Sequence, residues 1–282
     1  MEIIRDISTL RNQIKAARLP GRTVGLVPTM GYLHEGHLSL LRQARRENDL
    51  VVLSIFVNPL QFGVGEDFEE YPRDLDADAA KAEEAGCDLI FAPTVKEMYP
   101  KGYATFVDVE RLTESLCGAS RPGHFRGVTT VVTKLFNIVT PDHTYFGQKD
   151  AQQALVLRKM AKDLNMDLTV QIMPIIREAD GLAMSSRNVY LLPEERNAAT
   201  VLSRSLRQAQ ERIEHGERDA NAIIKCITET IDTEPLANID YVAVVDTDEI
   251  KKTETIQGQT LIALAVRFGK TRLIDNIIVE VS

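Results

Sequence analysis

One decapeptide organises this chain, and it reads Pro28-Thr29-Met30-Gly31-Tyr32-Leu33-His34-Glu35-Gly36-His37. The apolar run before it, residues 24–27, is typical of a buried strand, and the residues after it carry apolar side chains at helical spacing. Pro28 and Gly31 indicate a turn between the two. Unpaired backbone N–H groups and the positive end of the helix dipole meet at such a junction, and a histidine adds a directed donor. The decapeptide therefore predicts a site for the phosphates of a nucleotide.

Two other interpretations of His34 and His37 stay open at this point. Closely spaced histidines on one helical face can bind zinc, but the metalloprotease pattern is His-Glu-x-x-His and this segment reads His-Glu-Gly-His. The histidines can also be ordinary residues of a helix start, with no ligand. Two of the five histidines of the chain stand at this one glycine-containing turn, which favours the phosphate site.

The composition of the 282-residue chain argues against several classes of protein. Its net charge of −8, without a basic block, argues against nucleic acid as the main partner. No apolar run reaches the roughly 20 residues of a membrane span. Residues 1–6 show no signal-peptide pattern, and the widely spaced Cys87, Cys117 and Cys226 fit reduced thiols. We therefore expect a cytoplasmic protein whose partners include neither nucleic acid nor a membrane.

Residues 1–175 alternate between apolar, β-branched runs and helical patterns. Buried strands are predicted at residues 50–57, 87–92, 144–146 and 168–174, with a further strand at 105–109, and helices at 74–85, 128–139 and 150–164. This alternation predicts an α/β domain with a doubly wound parallel sheet of the Rossmann-like type. Ligands bind at the carboxyl ends of the strands in such folds, so the decapeptide, residues 58–61 and residues 147–150 are expected to line one cleft.

Residues 176–282 predict a second, smaller α+β domain. Residues 177–188 are polar and suggest a linker or a mobile loop. Helices are expected at 193–215 and 219–232, followed by three β-rich runs at 239–245, 261–266 and 273–281. The short spacing of these runs indicates a small antiparallel sheet, and we expect this domain to close over the first one.

Several further residues are candidates for chemistry. Gly147-Gln148-Lys149-Asp150 offers a cation for a phosphate, although such a turn can simply cap a helix. Met184-Ser185-Ser186-Arg187 offers hydroxyls and a guanidinium for an anion, although a solvated loop has the same composition. The amides of Gln61 and Gln153 suit a small polar substrate or are surface residues. Arg121, His124 and Arg126 form a cationic loop that binds an acid or is solvated, and Asp74, Asp76 and Asp78 suggest an exposed acidic helix start.

The decapeptide resembles the His-x-Gly-His-type motif of the nucleotidyltransferase superfamily, which includes the class I aminoacyl-tRNA synthetases. Met184-Ser185-Ser186-Arg187 resembles the Lys-Met-Ser-Lys-Ser loop of that superfamily. Additional segments narrow the resemblance to the pantoate–β-alanine ligase family over nearly the whole chain: Phe56-Val57-Asn58-Pro59-Leu60-Gln61-Phe62, Tyr71-Pro72-Arg73, Arg121-Pro122-Gly123-His124-Phe125-Arg126-Gly127-Val128, Gly147-Gln148-Lys149-Asp150 and Arg177-Glu178-Ala179-Asp180-Gly181-Leu182-Ala183. The order and spacing of these motifs carry the resemblance.

The resemblance implies an ATP-dependent ligation of pantoate and β-alanine through a pantoyl adenylate, with Mg²⁺ as cofactor, release of pyrophosphate and AMP, and a homodimer. It implies catalytic roles for His37, His34, Lys149 and Arg187, with His37 as proton donor to the departing phosphate. The residues it places around ATP are Met30, Gly31, Tyr32, Leu33, His34, Glu35, Gly36, His37, Gly147, Gln148, Lys149, Asp150, Ile176, Met184, Ser185, Ser186 and Arg187. Gln61 and Gln153 would hold pantoate, with Gln61 also near β-alanine. The metal ligands stay unknown, and Asp150 is the best candidate.

Two alternatives to this function stay open. The first is another nucleotidylyltransferase of the same superfamily that performs no acyl transfer, and the second is a non-catalytic nucleotide-binding module. The substrate-side residues Gln61 and Gln153 argue against the first alternative, and the acidic charge with the complete set of phosphate donors argues against the second.

Overall fold

A parallel sheet of six strands forms the centre of the amino-terminal part of the chain in the computed structural model, which describes residues 1–18, 21–63 and 65–281. Its strands are β1 (Glu2–Ile4), β2 (Val24–Thr29), β3 (Leu50–Ile55), β4 (Leu89–Phe91), β5 (His143–Gly147) and β6 (Thr169–Met173), in the spatial order β1-β4-β3-β2-β5-β6. The chain winds from β2 through β3 to β4 on one side and continues through β5 to β6 on the other. The strand order therefore reverses at β2, which is where doubly wound sheets bind ligands.

Helices connect these strands, as the predicted alternation requires. They are α1 (Ile7–Ala17), α2 (Glu35–Glu47), α3 (Leu75–Glu84), α4 (Val95–Met98), α5 (Cys117–Ser120), α6 (His124–Val139) and α7 (Ala151–Asp163), with 3-10 helices at Pro59–Gln61 and Gln148–Asp150. The inner residues of β2 and β3 are buried, which confirms strands covered on both faces. The predicted strand at 105–109 is wrong. This segment pairs with no described strand; instead the backbone of Val107 bonds to the hydroxyls of Thr129 and Thr130 on α6.

The chain divides into two structural units. The first unit comprises Met1–Gly147 and Gln153–Pro174, and the second comprises Gln148–Gln152 and Ile175–Ser282. Apolar side chains from both faces of the parallel sheet and from its helices form the core of the first unit, among them Leu26, Val52, Phe91 and Leu157. No helix in the described part of the chain is long and apolar enough to cross a membrane.

The second unit combines short helices with an antiparallel sheet. Its elements are a 3-10 helix at Ser186–Tyr190, the helices α8 (Pro193–Ala198), α9 (Val201–Glu214) and α10 (Ala220–Ile231), and the strands β7 (Ala237–Asp246), β8 (Gly258–Phe268) and β9 (Thr271–Val281). The strands pair in sequence order and antiparallel, which confirms the predicted small sheet. Residues of α9 and α10 pack on this sheet around Ile262, Leu264 and Phe268.

Residues 177–188, where a linker or a mobile loop is expected, contain a short hairpin and the start of a 3-10 helix, and the mobility of this segment stays a prediction. Arg177 and Ala183 form an antiparallel bridge, and the backbone of Met184 donates to Ile176, so this segment begins as a tight hairpin. Its polar side chains form bonds within the second unit. The guanidinium of Arg177 makes two hydrogen bonds of 2.7 and 2.9 Å to the buried carboxylate of Asp275. The polar composition reflects these internal ion pairs rather than solvation.

Candidate active site

The decapeptide lies where the sequence placed it, between the end of β2 and the start of α2. His34 is the N-cap of α2, and His37 stands at the third position of the helix. The two imidazole rings are half-buried, and their centroids lie 4.1 Å apart. The strand β2 ends beside β3, because Thr29 is in register with Ile55. Both histidines therefore stand at the carboxyl end of the central strand, where the sheet order reverses.

The hydrogen bonds of the two histidines fix which ring nitrogen carries the proton in the neutral form. The backbone N–H of Gly36 donates to Nδ1 of His34 at 3.1 Å, and the N–H of His34 points to Nδ1 of His37 at 3.4 Å. A backbone N–H only donates, so Nδ1 of each ring is the acceptor and the proton of a neutral ring lies on Nε2. Each ring can thus present an Nε2–H donor to an anion. The histidines also cap the first turn of the helix, which uses N–H groups that the sequence argument had left for a phosphate.

A buried carboxylate holds the turn that precedes the histidines. Asp78 on α3 is 1% exposed and accepts hydrogen bonds from the backbone N–H groups of Tyr32 (2.7 Å) and Leu33 (2.6 Å). Burial raises the pKa of the Asp78 carboxyl, and the two N–H groups oppose this. Lys81, one turn further along α3, donates to the carbonyl of Leu33 at 2.8 Å. The expectation that Asp78 belongs to an exposed acidic helix start is therefore wrong; Asp74 and Asp76 are exposed as expected.

The same turn needs glycine at position 31. Gly31 has a φ of +86°, and a Cβ there would lie 2.9 Å from the carboxylate of Asp78 and 3.0 Å from the side chain of Ile55. Tyr32, the next residue, also has a positive φ of 53°. Glycine adopts this conformation without a steric penalty, whereas the positive φ of Tyr32 costs free energy that its bond to Asp78 offsets.

Gln61 lies in the 3-10 helix that follows β3, and its side chain is buried. Its Nε2 lies 3.0 Å from the sulfur of Met30, so the structure brings these two predicted site residues together. Its Oε1 accepts from Nδ2 of the buried Asn58 at 3.2 Å. The close packing of this helix on α6 requires Gly127, because a Cβ there would lie 2.2 Å from the carbonyl oxygen of Leu60.

The cationic loop residues Arg121 and His124 are packed against Gln61. Nδ1 of His124 lies 2.8 Å from the carbonyl oxygen of Gln61, which only accepts, so Nδ1 carries a proton. Arg121 donates to Nε2 of His124 and forms a bidentate pair with Glu66, at 2.6 and 2.7 Å. Burial raises the pKa of Glu66, but the hydrogen bond and charge of Arg121 outweigh it and lower that pKa to about 2. Arg126 instead lies over the ring of Phe106, 4.2 Å from its centroid.

In the second unit, Asn276 on β9 fixes the segment that carries Lys149. Nδ2 of Asn276 donates to the carbonyl oxygens of Gln148 (2.9 Å) and Lys149 (3.1 Å), and its Oδ1 accepts from Nε2 of Gln148. The ammonium of Lys149 lies 3.6 Å from the carboxylate of Asp150, which is about half exposed. The predicted cation is therefore held by a strand more than 120 residues away in the sequence.

A small cavity of the second unit contains residues from both predicted nucleotide segments. Lys149 and Ser185 line it, together with Ala183, Asn188 and Asp275. Nδ2 of Asn188 donates to the carbonyl of Ala183 and to Glu178, whereas its Oδ1 is buried without a protein partner. Ser185 caps the 3-10 helix that carries Ser186 and Arg187, because its hydroxyl accepts from the N–H of Arg187. Ile176 accepts from the backbone of Met184. The cavity thus brings Lys149 and Ser185, from two different predicted nucleotide segments, to one place in the second unit.

Gln153 belongs to the first unit and stands in the first turns of α7, half-buried. Four residues whose supporting roles the sequence did not reveal hold the predicted site residues in place. Asn58 bonds to Gln61 and Tyr99 bonds to Asn58, Asp78 bonds to the backbone of the turn at 31–33, and Asn276 bonds to the backbone of Gln148 and Lys149. Only Asn58 carried a signal in the sequence, because it stands three residues before Gln61 just after a strand. The others lie far along the chain from the groups that they hold.

The carboxylate ligand near Lys149 fits a magnesium ion that is bound mainly through phosphates. In the described part of the chain, no three His, Cys, Asp or Glu side chains cluster as a metal cage. Asp150 offers an exposed carboxylate oxygen beside the predicted phosphate cation Lys149. Magnesium usually takes one or two carboxylates and completes its shell with phosphate and water, so a single carboxylate is a sufficient protein ligand.

Comparisons with known proteins identify the family of the chain. The family model described as pantoate-beta-alanine ligase matches residues 2–278. The chain is 66% identical over 281 residues to the pantothenate synthetase of Heliobacterium modesticaldum, covering 100% of both chains. The crystal structure of pantothenate synthetase from Thermus thermophilus superposes with a TM-score of 0.93 at 48% identity, covering 98% of this chain and 99% of that one. The structure of pantoate-beta-alanine ligase from Francisella tularensis, complexed with beta-gamma ATP and beta-alanine, has a TM-score of 0.80 at 32% identity, covering 99% and 97%.

Proposed function

The chain belongs to the pantoate–β-alanine ligase family, and we propose on that premise which of its residues carry out the reaction. The chain is an ATP-dependent enzyme that joins pantoate to the amine of β-alanine and makes pantothenate, with release of pyrophosphate and AMP. The observation that carries the assignment of roles is the pair of histidines at the point where the sheet order reverses.

The proposed reaction has two steps. A carboxylate oxygen of pantoate attacks the α-phosphorus of ATP, the bond to pyrophosphate breaks, and pantoyl adenylate forms. The amine of β-alanine then attacks the acyl carbon, the bond to the AMP oxygen breaks, and the amine loses a proton. Neither step needs a nucleophilic side chain, which fits a chain whose three cysteines are buried thiols.

His34 and His37 are proposed to stabilise the charge that develops on the phosphate oxygens in the first step. Their Nδ1 atoms accept from the backbone, so the Nε2–H groups are the donors, and each ring is fixed by the helix start that it caps. Preorganised donors of this kind lower the barrier because they need no reorientation as charge develops. His37 directs its Nε2–H to the departing phosphate as a hydrogen-bond donor, and transfer of a proton to that phosphate would require the imidazolium form of the ring.

The remaining roles follow from the motifs. Lys149 and Arg187 provide positive charge for the phosphates, and Ser185 and Ser186 provide hydroxyl donors. The residues proposed to surround ATP are Met30–His37, Gly147–Asp150, Ile176 and Met184–Arg187, with Ile176 near the adenosine. Gln61 and Gln153 hold pantoate, and Gln61 also lies near β-alanine. When bound, Mg²⁺ neutralises phosphate charge, and Asp150 is its proposed protein ligand.

Isotope exchange between ATP and pyrophosphate tests both the reaction and the roles. We expect exchange that depends on pantoate without β-alanine, and AMP and pantothenate once β-alanine is added. Exchange without amide product would mean that the acceptor is wrong. A stable nucleotidyl product with no AMP would favour the alternative nucleotidylyltransferase, and no exchange with any acid would favour a module that only binds nucleotides.

We also propose a cytoplasmic homodimer. The support for the location is the set of three buried free thiols, which fits a reducing compartment. The support for the dimer is family resemblance alone, and light scattering that shows only monomers at micromolar concentration would contradict it. Closure of residues 176–282 over the nucleotide stays a prediction.

A further inference from the structure

The orientation of the Asn58 amide is fixed by two backbone groups. The N–H of Leu60, which only donates, points to Oδ1 of Asn58 at 3.3 Å. The carbonyl of Gly127, which only accepts, lies 3.1 Å from Nδ2. Asn58 is 1% exposed, so water does not compete for these bonds. The oxygen and nitrogen of this amide can therefore be told apart by their partners alone.

The orientation of Asn58 fixes that of Gln61. Nδ2 of Asn58 faces the Gln61 amide at 3.2 Å, and because Nδ2 only donates, the facing atom of Gln61 is its oxygen. The nitrogen of Gln61 then lies on the other side, 3.0 Å from the sulfur of Met30. Sulfur is a weak acceptor, and the nitrogen has two hydrogens, so it retains a strong donor for a ligand.

The third member of this chain of bonds is Tyr99, at the end of α4. Its hydroxyl lies 2.8 Å from Oδ1 of Asn58, which is already assigned as an acceptor, so the hydroxyl donates. The ring of Tyr99 packs near Phe56 and Tyr103, with centroids 6.1 and 5.0 Å away, and the ammonium of Lys134 lies over it. Burial raises the pKa of the Tyr99 hydroxyl above its usual range, so the hydroxyl is a neutral donor near neutral pH.

We propose that Tyr99 is a positioning residue: its hydroxyl adds a third bond to the two backbone contacts that orient Asn58, and so helps to hold the Gln61 amide with its nitrogen toward the substrate, where this subsite selects an acceptor oxygen. The inference rests on the proposed role of Gln61 in binding pantoate. The carboxylate and hydroxyl groups of a hydroxy acid offer such oxygens. A rotated amide would present its own oxygen instead and repel a carboxylate, although its shape would be nearly the same. The fixed orientation therefore converts a non-selective amide into a selective donor.

The first test compares Tyr99→Phe with Tyr103→Phe. Tyr103 belongs to the same aromatic group, but its hydroxyl is not part of the bond chain, so this control keeps the packing and removes an equivalent atom. Loss of one hydrogen bond to a buried amide is worth about 1 kcal/mol, so we expect Tyr99→Phe to raise KM for pantoate about 5-fold. KM for ATP should match that of Tyr103→Phe, whereas loss of the buried bond should lower the melting temperature of Tyr99→Phe. Equal KM values for pantoate in the two variants would overturn the proposal.

A second test asks whether the group that residue 61 turns toward the substrate must be a hydrogen-bond donor. Gln61→Glu keeps the oxygen that accepts from Asn58 and replaces the donor nitrogen by a second oxygen. With the proposed orientation, pantoate binding is lost near neutral pH and partly recovered as the pH falls and the new carboxyl is protonated. If Gln61→Glu binds pantoate at neutral pH as the wild type does, the subsite needs no donor at this position, and the proposal is wrong.

Gln61→Ala distinguishes the proposed role of Gln61 in binding pantoate from the proposed role of Tyr99 in positioning Gln61. If this variant leaves KM for pantoate unchanged, Gln61 does not bind pantoate, and both the proposed role and the further inference fail. If Gln61→Ala impairs pantoate binding but Tyr99→Phe does not, only the inference about Tyr99 fails. Normal pantoate-independent binding of ATP, measured by calorimetry, confirms in each case that the variant is folded.

Discussion

The carboxylate of Asp78 accepts a 2.6 Å hydrogen bond from the backbone N–H of Leu33, 45 residues earlier in the chain. The helix α3 thereby holds the turn that leads from the central strand into the paired histidines. The histidines that we propose bind phosphate directly follow the turn that this buried carboxylate holds.

Asp78→Asn should destabilise the protein and weaken the use of ATP. The amide keeps one acceptor but turns an N–H₂ group toward the second backbone N–H, which leaves that donor buried and unsatisfied. We expect a loss of about 1–3 kcal/mol in the free energy of unfolding, measured with urea, and a higher KM for ATP. Asp76→Asn, on the exposed face of the same helix, is the matched control. Equal stability of the two variants would contradict the role of Asp78.

His37→Ala should reduce pantoyl-adenylate formation, measured by pyrophosphate exchange at saturating ATP and pantoate, by about 10²–10³-fold. We expect the substitution to lower kcat, because the hydrogen bond from His37 is needed most in the transition state, when negative charge develops on the phosphate oxygens. His215→Ala removes an exposed histidine at the end of α9 and should have wild-type activity. A His37→Ala variant that keeps most of its exchange activity would remove His37 from the mechanism.

Glu66 should contribute acid-sensitive stability. Its pKa is lowered from 4.5 to about 2 in the folded protein, so the unfolded chain binds the proton first as the pH falls. The stabilisation is present above pH 4.5 and is lost as the pH falls toward 2, and it amounts to roughly 2–3 kcal/mol. The measurement is the difference in unfolding free energy between wild type and Glu66→Gln from about pH 6 to about pH 3. This difference should shrink with acidity, whereas the exposed Glu69→Gln should show no such trend.

Gly127→Ala should displace the helix that carries Gln61. The added Cβ would lie 2.2 Å from the carbonyl oxygen of Leu60 and 2.6 Å from the nitrogen of Gln61, and both are backbone atoms that cannot rotate away. We expect a loss of roughly 3 kcal/mol in stability and a higher KM for pantoate at unchanged KM for ATP. Gly63→Ala is the control, since its nearest contact would be 3.8 Å. Wild-type kinetics of Gly127→Ala would show that this close packing does not position Gln61.

The sequence by itself determined the class of fold and the location of the turn that we propose binds phosphate. Apolar runs such as residues 50–57 and amphipathic helices are local patterns, and their alternation requires a parallel sheet covered on both faces. The turn at 28–37 was recognisable because glycine, proline and histidine act there within a single strand-to-helix junction. The antiparallel sheet of the second unit was predictable because its three β-rich runs are also local patterns, with no helix between them.

Only the tertiary structure decided which polar residues are buried partners and which are solvated. Asp78 and Asp76 stand on one helix and look alike in the sequence, yet one is 1% exposed and the other faces solvent. The polar composition of residues 177–188 suggests a linker or a mobile loop, whereas the structure shows ion pairs such as that of Arg177 with Asp275, 98 residues away. The sequence shows how many hydrogen bonds a polar side chain can make, but the packing of distant elements decides which partner it bonds. The series of hydrogen bonds from Tyr99 through Asn58 to Gln61 is therefore seen only in the tertiary structure.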